Sequence, residues 1–174
     1  MHRPRPGDRD GDRAALTRWL LVRGRGDRPL AREVDPKQIG AHASSRRPSL
    51  EPGELAILYA SVWQAIFGVV EVAGVPVHDP EKARWAWRFP IRPLVVVPDL
   101  DVAPAVEEAG IFPSSIWRHS YIRLSEEQFD TARELVTRAE HPGAGLRPVP
   151  ASNARSRQVS DTSGGRRHGP PTSV

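Results

Sequence analysis

Two short apolar runs follow one another near the middle of the chain. Residues Leu55 to Tyr59 and Ile66 to Val72 are rich in β-branched side chains, are too short for helices, and are separated by the polar tetrapeptide SVWQ. This pattern predicts two buried strands joined in a hairpin. The uncharged stretch Leu55 to Val70 is shorter than the roughly 18 to 20 apolar residues of a membrane span, so we expect no membrane partner.

The stretch from Arg84 to Val97 has the clearest period of two. Trp, Phe, Ile and Val residues occupy one parity, at positions 85, 87, 89, 91, 95 and 97, and arginines occupy the other, at 84, 88 and 92. The pattern predicts a strand with one buried face. Because Pro90 and Pro93 each remove a hydrogen-bond donor, we expect this strand to lie at an edge or to contain a bulge.

Weaker signals complete the set of elements. We expect a first strand over Thr17 to Gly24, a long polar loop from Asp35 to Leu50 that begins with a short helical turn, a short helix from Ala103 to Ala109, and a strand from Ser120 to Leu124. Ser125 and Gln128 form a capping box, and the helix that they begin has one apolar face, made of Phe129, Ala132, Val136 and Ala139. The elements predict an α+β fold, a small mixed β-barrel with flanking helices.

Composition separates this domain from its two ends. Residues 1–14 repeat Arg, Asp, Pro and Gly, and residues 141–174 are rich in Pro, Gly and Ser, in both cases without an apolar period. We predict that both are disordered tails around a domain at residues 15–140. The chain has no cysteine, which excludes a disulfide framework, and its N-terminus lacks the apolar segment of an export signal. We therefore expect a cytoplasmic protein.

The basic character of the chain is unevenly distributed. Residues 16–50 hold 8 Lys and Arg against 3 Asp and Glu, whereas residues 51–140 hold 8 against 14, so the domain as a whole is close to neutral. There are 23 Arg and only 2 Lys, a ratio that high-GC codon usage explains without any ligand. A basic face would therefore have to come from the first third of the chain.

The order of short sequence motifs along the chain resembles that of the EVE domain, a member of the PUA-like group of small barrels. The matching pieces are WLLV, PGELAILYAS, GVVEV, the W-x-W-R strand that runs into PIRPL, and RHSYIRLSEEQF, which together cover residues 17 to 139. In place of the Asn-containing helical segment usual in the family, this chain has IGAHASSRRPSL, with His42, Ser44 and Ser45. The resemblance implies a PUA-like barrel whose pocket accepts one nucleobase, typically a modified one, flipped out of DNA or presented in RNA.

The resemblance also implies a set of binding residues. The base would be held by Trp19, Ser61, Trp63, Trp117, Arg118, His119 and Ser120, and the flanking phosphates by Arg23, Arg25, Arg46 and Arg47. Stacking on indole rings and hydrogen bonds to the base edge are the interactions that recognise a flipped base. Each tryptophan could equally serve the core, as we expect more strongly for Trp85 and Trp87 on the apolar parity of their strand.

Other chemistry receives less support from the residues. The six histidines lack metal-ligand spacing, no phosphate loop follows a strand, and His119 and Ser120, as neighbours on a strand, would point to opposite faces. We expect a non-enzymatic reader without cofactor or metal, working with a nuclease or another effector protein. An ASCH-like enzyme that cleaves RNA or an amide, and a protein-interaction module, remain alternatives.

Overall fold

The computed structural model describes residues 17–141. The strands are β1 (Arg18–Arg23), β2 (Ala41–Ser44), β3 (Leu55–Ala60), β4 (Ala65–Val72), β5 (Val77–His78), β6 (Trp87–Val96) and β7 (Tyr121–Leu124). The helices are α1 (Pro113–Ile116) and α2 (Glu126–Glu140), with 3₁₀ turns at Pro36–Gln38 and Val106–Ala109. The tails predicted to be disordered, residues 1–14 and 141–174, lie outside the described residues apart from His141.

The strands form one curled, mixed sheet in the order β2-β6-β4-β3-β1-β7, with β5 paired to β6. The β1 and β3 strands run parallel and all other pairs are antiparallel. Curling brings the two ends of this order, β2 and β7, towards each other. With α2 packed across β3, β4 and β6, the architecture is the α+β, PUA-like barrel that the resemblance implied.

Side chains rather than a ladder join the two ends of the sheet. Arg23 Nη1 donates to the carbonyl of Ala41 at 2.6 Å, His42 Nε2 lies 3.2 Å from the carbonyl of Ser120, and Tyr121 Oη donates to the carbonyl of Arg47 at 3.2 Å. We call this line of three contacts the seam. Arg23 and Tyr121 each give a backbone carbonyl a side-chain donor. His42 adds a second donor to the Ser120 carbonyl, which already accepts from the backbone N–H of Val22 in β1.

The predicted strands β3 and β4 are confirmed and supply the centre of the core, with nearly every side chain buried. The expected edge position of the Pro-containing strand holds for only part of it. Residues 87–90 of β6 pair with β2 and β5, whereas residues 91–96 pair with β4 alone among the described strands. The bulge alternative is confirmed by a register shift opposite β6, between Val69 and Val70.

Helix α2 is confirmed with its cap and its buried face. Ser125 Oγ accepts from the backbone N–H of Gln128 at 3.1 Å, and the Gln128 side chain accepts in return from the N–H of Ser125. Phe129, Ala132 and Val136 are fully buried. The helix has 15 residues, and no helix within residues 17–141 could span a bilayer.

Several short elements differ from the prediction. The polar stretch from Asp35 to Leu50 contains the unexpected strand β2 after its 3₁₀ turn, and α1 and β5 were not predicted. The helix expected over Ala103 to Ala109 is only the turn Val106–Ala109, which ends at Gly110 with a φ of 67°. These elements are held by contacts with distant strands, which local pattern does not record.

One buried polar contact fixes β1 against the loop before β3. Glu54, which is 7% exposed, accepts from Trp19 Nε1 at 2.7 Å and from the backbone N–H of Glu51 at 2.9 Å. Water does not reach the indole N–H as an alternative acceptor, because Trp19 is itself only 4% exposed. A buried donor without a partner costs free energy, so the carboxylate and the indole stabilise the fold as a pair.

We therefore expect Glu54→Ala to lower the free energy of unfolding by about 1–3 kcal/mol, since the indole N–H is then buried without an acceptor. Urea denaturation followed by circular dichroism measures the loss. Glu54→Gln keeps an acceptor oxygen and should lose less, and Glu134→Ala on the exposed face of α2 should change little. Equal losses for the Gln and Ala variants would show that the hydrogen bond does not matter.

Candidate functional site

A cavity of about 480 Å³ opens beside the seam, at the end of β1. We call it the Trp85 cavity, after the indole in its wall. Its charged lining residues come from the turn after β1 and from the segment before β6, and they are Arg23, Arg25, Asp27, Arg28 and Arg84. Four cations against one carboxylate give the cavity a positive potential, which favours an anionic ligand.

His42 and Arg23 form the buried side of this cavity. His42 is 2% exposed, and burial lowers its pKa to about 3, with the positive charge of Arg23 adding to the effect. Burial also lowers the pKa of the Arg23 guanidinium. Buried groups with shifted pKa values in the wall of a cleft are typical of functional sites.

The hydrogen bond of His42 fixes its tautomer. Because the Ser120 carbonyl can only accept, Nε2 carries the proton and Nδ1 keeps a lone pair. Within residues 17–141, this Nδ1 has no hydrogen-bond partner. The wall of the Trp85 cavity thus holds a neutral imidazole whose unused acceptor is itself buried.

Trp85 presents its ring in an unusual backbone conformation. Its φ is 60°, in the left-handed region that β-carbon-bearing residues seldom adopt, and its side chain is half-buried. The guanidinium of Arg25 lies over the indole, 4.4 Å from its centroid. The ring therefore already carries a flat cation on its face.

A second cavity, of about 420 Å³, lies on the other side of Arg25. We call it the Trp117 cavity. Arg25 and Val22 line both cavities, and the remaining polar lining comes from the ends of β3 and β4 and from the segment after α1: Tyr59, Ser61, Gln64, Arg118 and His119. Burial and the nearby charge of Glu107 raise the pKa of Tyr59.

Four of the predicted base-binding residues meet in the Trp117 cavity, namely Ser61, Trp117, Arg118 and His119. The hydroxyl of Ser61 donates to the carbonyl of Gly24. Trp117 is 69% exposed, with the guanidinium of Arg118 4.2 Å from its ring centroid. The sequence thus predicted four of the residues that line the Trp117 cavity.

The other predicted base-binding residues lie outside both cavities. Trp19 is in the core, Trp63 donates from Nε1 to the carbonyl of Leu30 at 3.0 Å, and Ser120 contributes its carbonyl to the seam. Of the predicted phosphate-binding arginines, Arg23 and Arg25 line the Trp85 cavity, whereas Arg46 and Arg47 are exposed outside it, with Arg47 over the ring of Trp87.

Trp85 and Arg84 are two of the lining residues that were not predicted for the site. Trp85 was expected in the core because its parity matches the buried residues of β6, but β6 begins only at Trp87. Arg84 was placed on the opposite, charged parity and was given no binding role. The signal that could have found them is the polar stretch HDPEKA before them, which favours a turn rather than a continuing strand.

No protein-family model matches the chain, and no curated protein was found to be similar to it. Its fold is shared with solved structures of low identity. A hypothetical protein from Leishmania major is 12% identical with a TM-score of 0.51, over 71% of this chain and 96% of that one. A protein of Rhodopseudomonas palustris is 16% identical with a TM-score of 0.50, over 75% of this chain and 100% of that one.

A further similar structure is human THYN1 protein in complex with DNA that contains 5-methylcytosine. It is 13% identical, over 69% of this chain and 97% of that one, with a TM-score of 0.48. A likeness at this level carries no argument about what the present chain binds. The comparisons therefore show the fold, and the function has to be argued from the cavities.

The lowered pKa of His42 predicts a specific acid sensitivity. In the unfolded chain a histidine takes up its proton near pH 6.5, but in the folded chain only near pH 3. The unfolded state thus binds more protons between these values, so stability is complete above about pH 6.5 and falls towards pH 3. The whole span corresponds to roughly 5 kcal/mol of folding free energy.

When the pH is lowered from 7 to 4, we expect the free energy of unfolding of His42→Gln to fall by roughly 3 kcal/mol less than that of the native chain, because glutamine does not titrate. Urea denaturation at a series of pH values measures the slope. His119→Gln, which removes an exposed histidine, should keep the native slope. Parallel slopes for the native chain and His42→Gln would contradict the buried neutral imidazole.

Proposed function

We propose that the chain is a non-enzymatic reader of nucleic acid that takes one nucleobase, modified in its natural target, into the Trp85 cavity. The observation that carries this is the stack of Arg25 on Trp85, 4.4 Å apart, inside a cavity lined by four arginines. A base would stack on this paired guanidinium and indole. Bases that are unstacked from their strand are held in this way, on aromatic rings or on guanidinium planes.

The dimensions of the Trp85 cavity support this proposal. Its volume of about 480 Å³ falls within the roughly 300–1,000 Å³ that is usual for small-molecule sites. The buried floor excludes water, which strengthens each hydrogen bond made there. A flipped nucleotide is a ligand of this size that also carries a negative charge.

His42 supports an amino-bearing base. Cytosine and adenine present an exocyclic amino group on their Watson–Crick edge, and an imidazole lone pair is an acceptor for such a donor. The Nδ1 of His42, unpartnered within the described residues, is such an acceptor, and because it is itself buried it reaches a base only when the side chains around it move. Protonation would remove the lone pair, but the lowered pKa keeps the ring neutral at physiological pH.

The arginines support a phosphate-binding rim. Within residues 17–141, Arg23, Arg25, Arg28 and Arg84 form no ion pair with a carboxylate. The charges of Arg25, Arg28 and Arg84 are therefore available to phosphates on either side of the captured base. The Arg23 guanidinium, in contrast, is buried and already donates to the carbonyl of Ala41. Contacts of this kind position the strand, while the base in the cavity determines selectivity.

The test is a binding panel of fluorescent eight-nucleotide single strands, DNA and RNA, each with one central cytosine or adenine that is unmodified or methylated. We expect one modified base to bind most tightly by fluorescence anisotropy. Trp85→Ala should weaken that strand roughly 5- to 150-fold, the value of one lost base stack. Trp85→Phe, which keeps an aromatic face, should lose less.

Phe112→Ala serves as the matched control, because Phe112 is 67% exposed and lines neither cavity. Its loss should leave the affinity unchanged. Equal binding of all strands, modified or not, would overturn base recognition. An unchanged affinity of Trp85→Ala would overturn the placement of the base.

The proposed rim also predicts the salt dependence of binding. Each phosphate contact releases counterions, so Arg28→Gln and Arg84→Gln should each reduce the slope of log K against log salt concentration by about 1. Arg138→Gln, on the exposed side of α2, should leave the slope unchanged. Identical slopes for all three variants would place the phosphates elsewhere.

A further inference from the structure

We propose that the Trp117 cavity is a second nucleotide-binding subsite, which we call the second seat. It takes the nucleotide next to the base held in the Trp85 cavity, so that the chain reads two consecutive nucleotides. This inference rests on the proposed function and adds to it a footprint of two bases. The Trp85 cavity would supply selectivity for the modified base, and the Trp117 cavity would supply stacking for whichever base stands next to it.

The first support is that the two cavities are contiguous. Arg25 and Val22 at the end of β1 line both. The guanidinium of Arg25 contacts the ring of Trp85 on one side and reaches the carbonyl of His119 on the other, at 3.4 Å from Nη2. A single cation thus stands between the two cavities, where it can bind the phosphate that joins two nucleotides.

The second support is the character of Trp117. Its indole is 69% exposed and has a guanidinium, that of Arg118, 4.2 Å from its centroid. Arg118 has a φ of 69°, so the backbone is bent at the residue that carries this cation. An exposed indole beside an arginine is a stacking platform that accepts any base, since every base has a π-face.

The third support is the sign of the lining charges. Among the described residues, the charged side chains that line the Trp117 cavity are those of Arg25 and Arg118, and none is a carboxylate. An apolar partner protein would also cover Trp117, but it would leave both guanidinium groups without counter-charges. A nucleotide covers the indole with its base and brings a phosphate to the arginines.

The polar lining fits a seat of low selectivity. Gln64 has an exposed side chain whose amide makes no hydrogen bond within the described residues, and the Ser61 hydroxyl is already used by the carbonyl of Gly24. An amide can donate or accept and therefore suits different base edges. Unlike the Trp85 cavity, this one has no buried imidazole to select a base.

The experiment uses the best-bound strand of the panel and two versions of it, in which the nucleotide on the 5′ or on the 3′ side of the modified base is replaced by an abasic residue. We expect one abasic strand to bind roughly 5- to 150-fold more weakly than the intact strand. Trp117→Ala should weaken the intact strand by a similar factor, and Trp117→Phe should restore part of the loss.

The decisive measurement combines the two changes. If the missing base stacks on Trp117, the abasic strand and Trp117→Ala together should bind no more weakly than either change alone, because both remove the same contact. Phe112→Ala should bind the intact strand normally. The second seat would be overturned if the two fold-losses in affinity multiply, or if Trp117→Ala leaves the affinity for the intact strand unchanged.

The outcomes separate this inference from the proposed function. Suppose that Trp85→Ala weakens binding of the intact strand and of both abasic strands alike, while Trp117→Ala does not change the affinity. The proposed base reader is then supported and the second seat is contradicted. If Trp117→Ala abolishes selectivity for the modified base, that base lies in the Trp117 cavity and the two-seat arrangement is wrong. If no strand binds at all, the proposed function fails, and the second seat with it.

Discussion

The seam is the constraint on which the rest of this structure depends. The curled sheet ends in β2 and β7, which do not pair with each other, and the side chains of Arg23, His42 and Tyr121 link β2 and the segment after it to β1 and β7. Two of these three donors also line the Trp85 cavity. Closure of the barrel and formation of the site are therefore one event: the residues that join the edges are held by the fold in the orientation that the cavity requires.

Backbone strain is concentrated at the same place. Within residues 17–141, three residues other than glycine have a positive φ: Gln64, Trp85 and Arg118. All three line one of the two cavities. A left-handed residue with a β-carbon costs about 1–2 kcal/mol, and such costs persist where the surrounding structure imposes them. Their position agrees with the view that the two cavities belong to one site.

Local pattern predicted the core of this fold but only part of the site. β3, β4 and α2 followed from apolar runs and a capping box, since their side chains meet the core directly. The strand β2, with the sequence AHAS, has no such signal and exists because β6 pairs with it. Trp63 and Trp85 show the same limit: parity and loop position suggested the reverse of their roles, which depend on the Leu30 carbonyl and on the left-handed turn before β6.

The near-neutral charge of the domain does not argue against a nucleic-acid ligand, because salt screens charges beyond about 8–10 Å and the local charges decide. Residues 51–140 hold 14 acidic side chains, yet among the described residues Asp27 is the one carboxylate that lines either cavity. Three arginines of the first third of the chain, Arg23, Arg25 and Arg28, which codon usage alone could explain, are brought by the end of β1 and the turn after it to the Trp85 cavity together with Arg84. Position rather than number gives them a function, and position is what the closed seam determines.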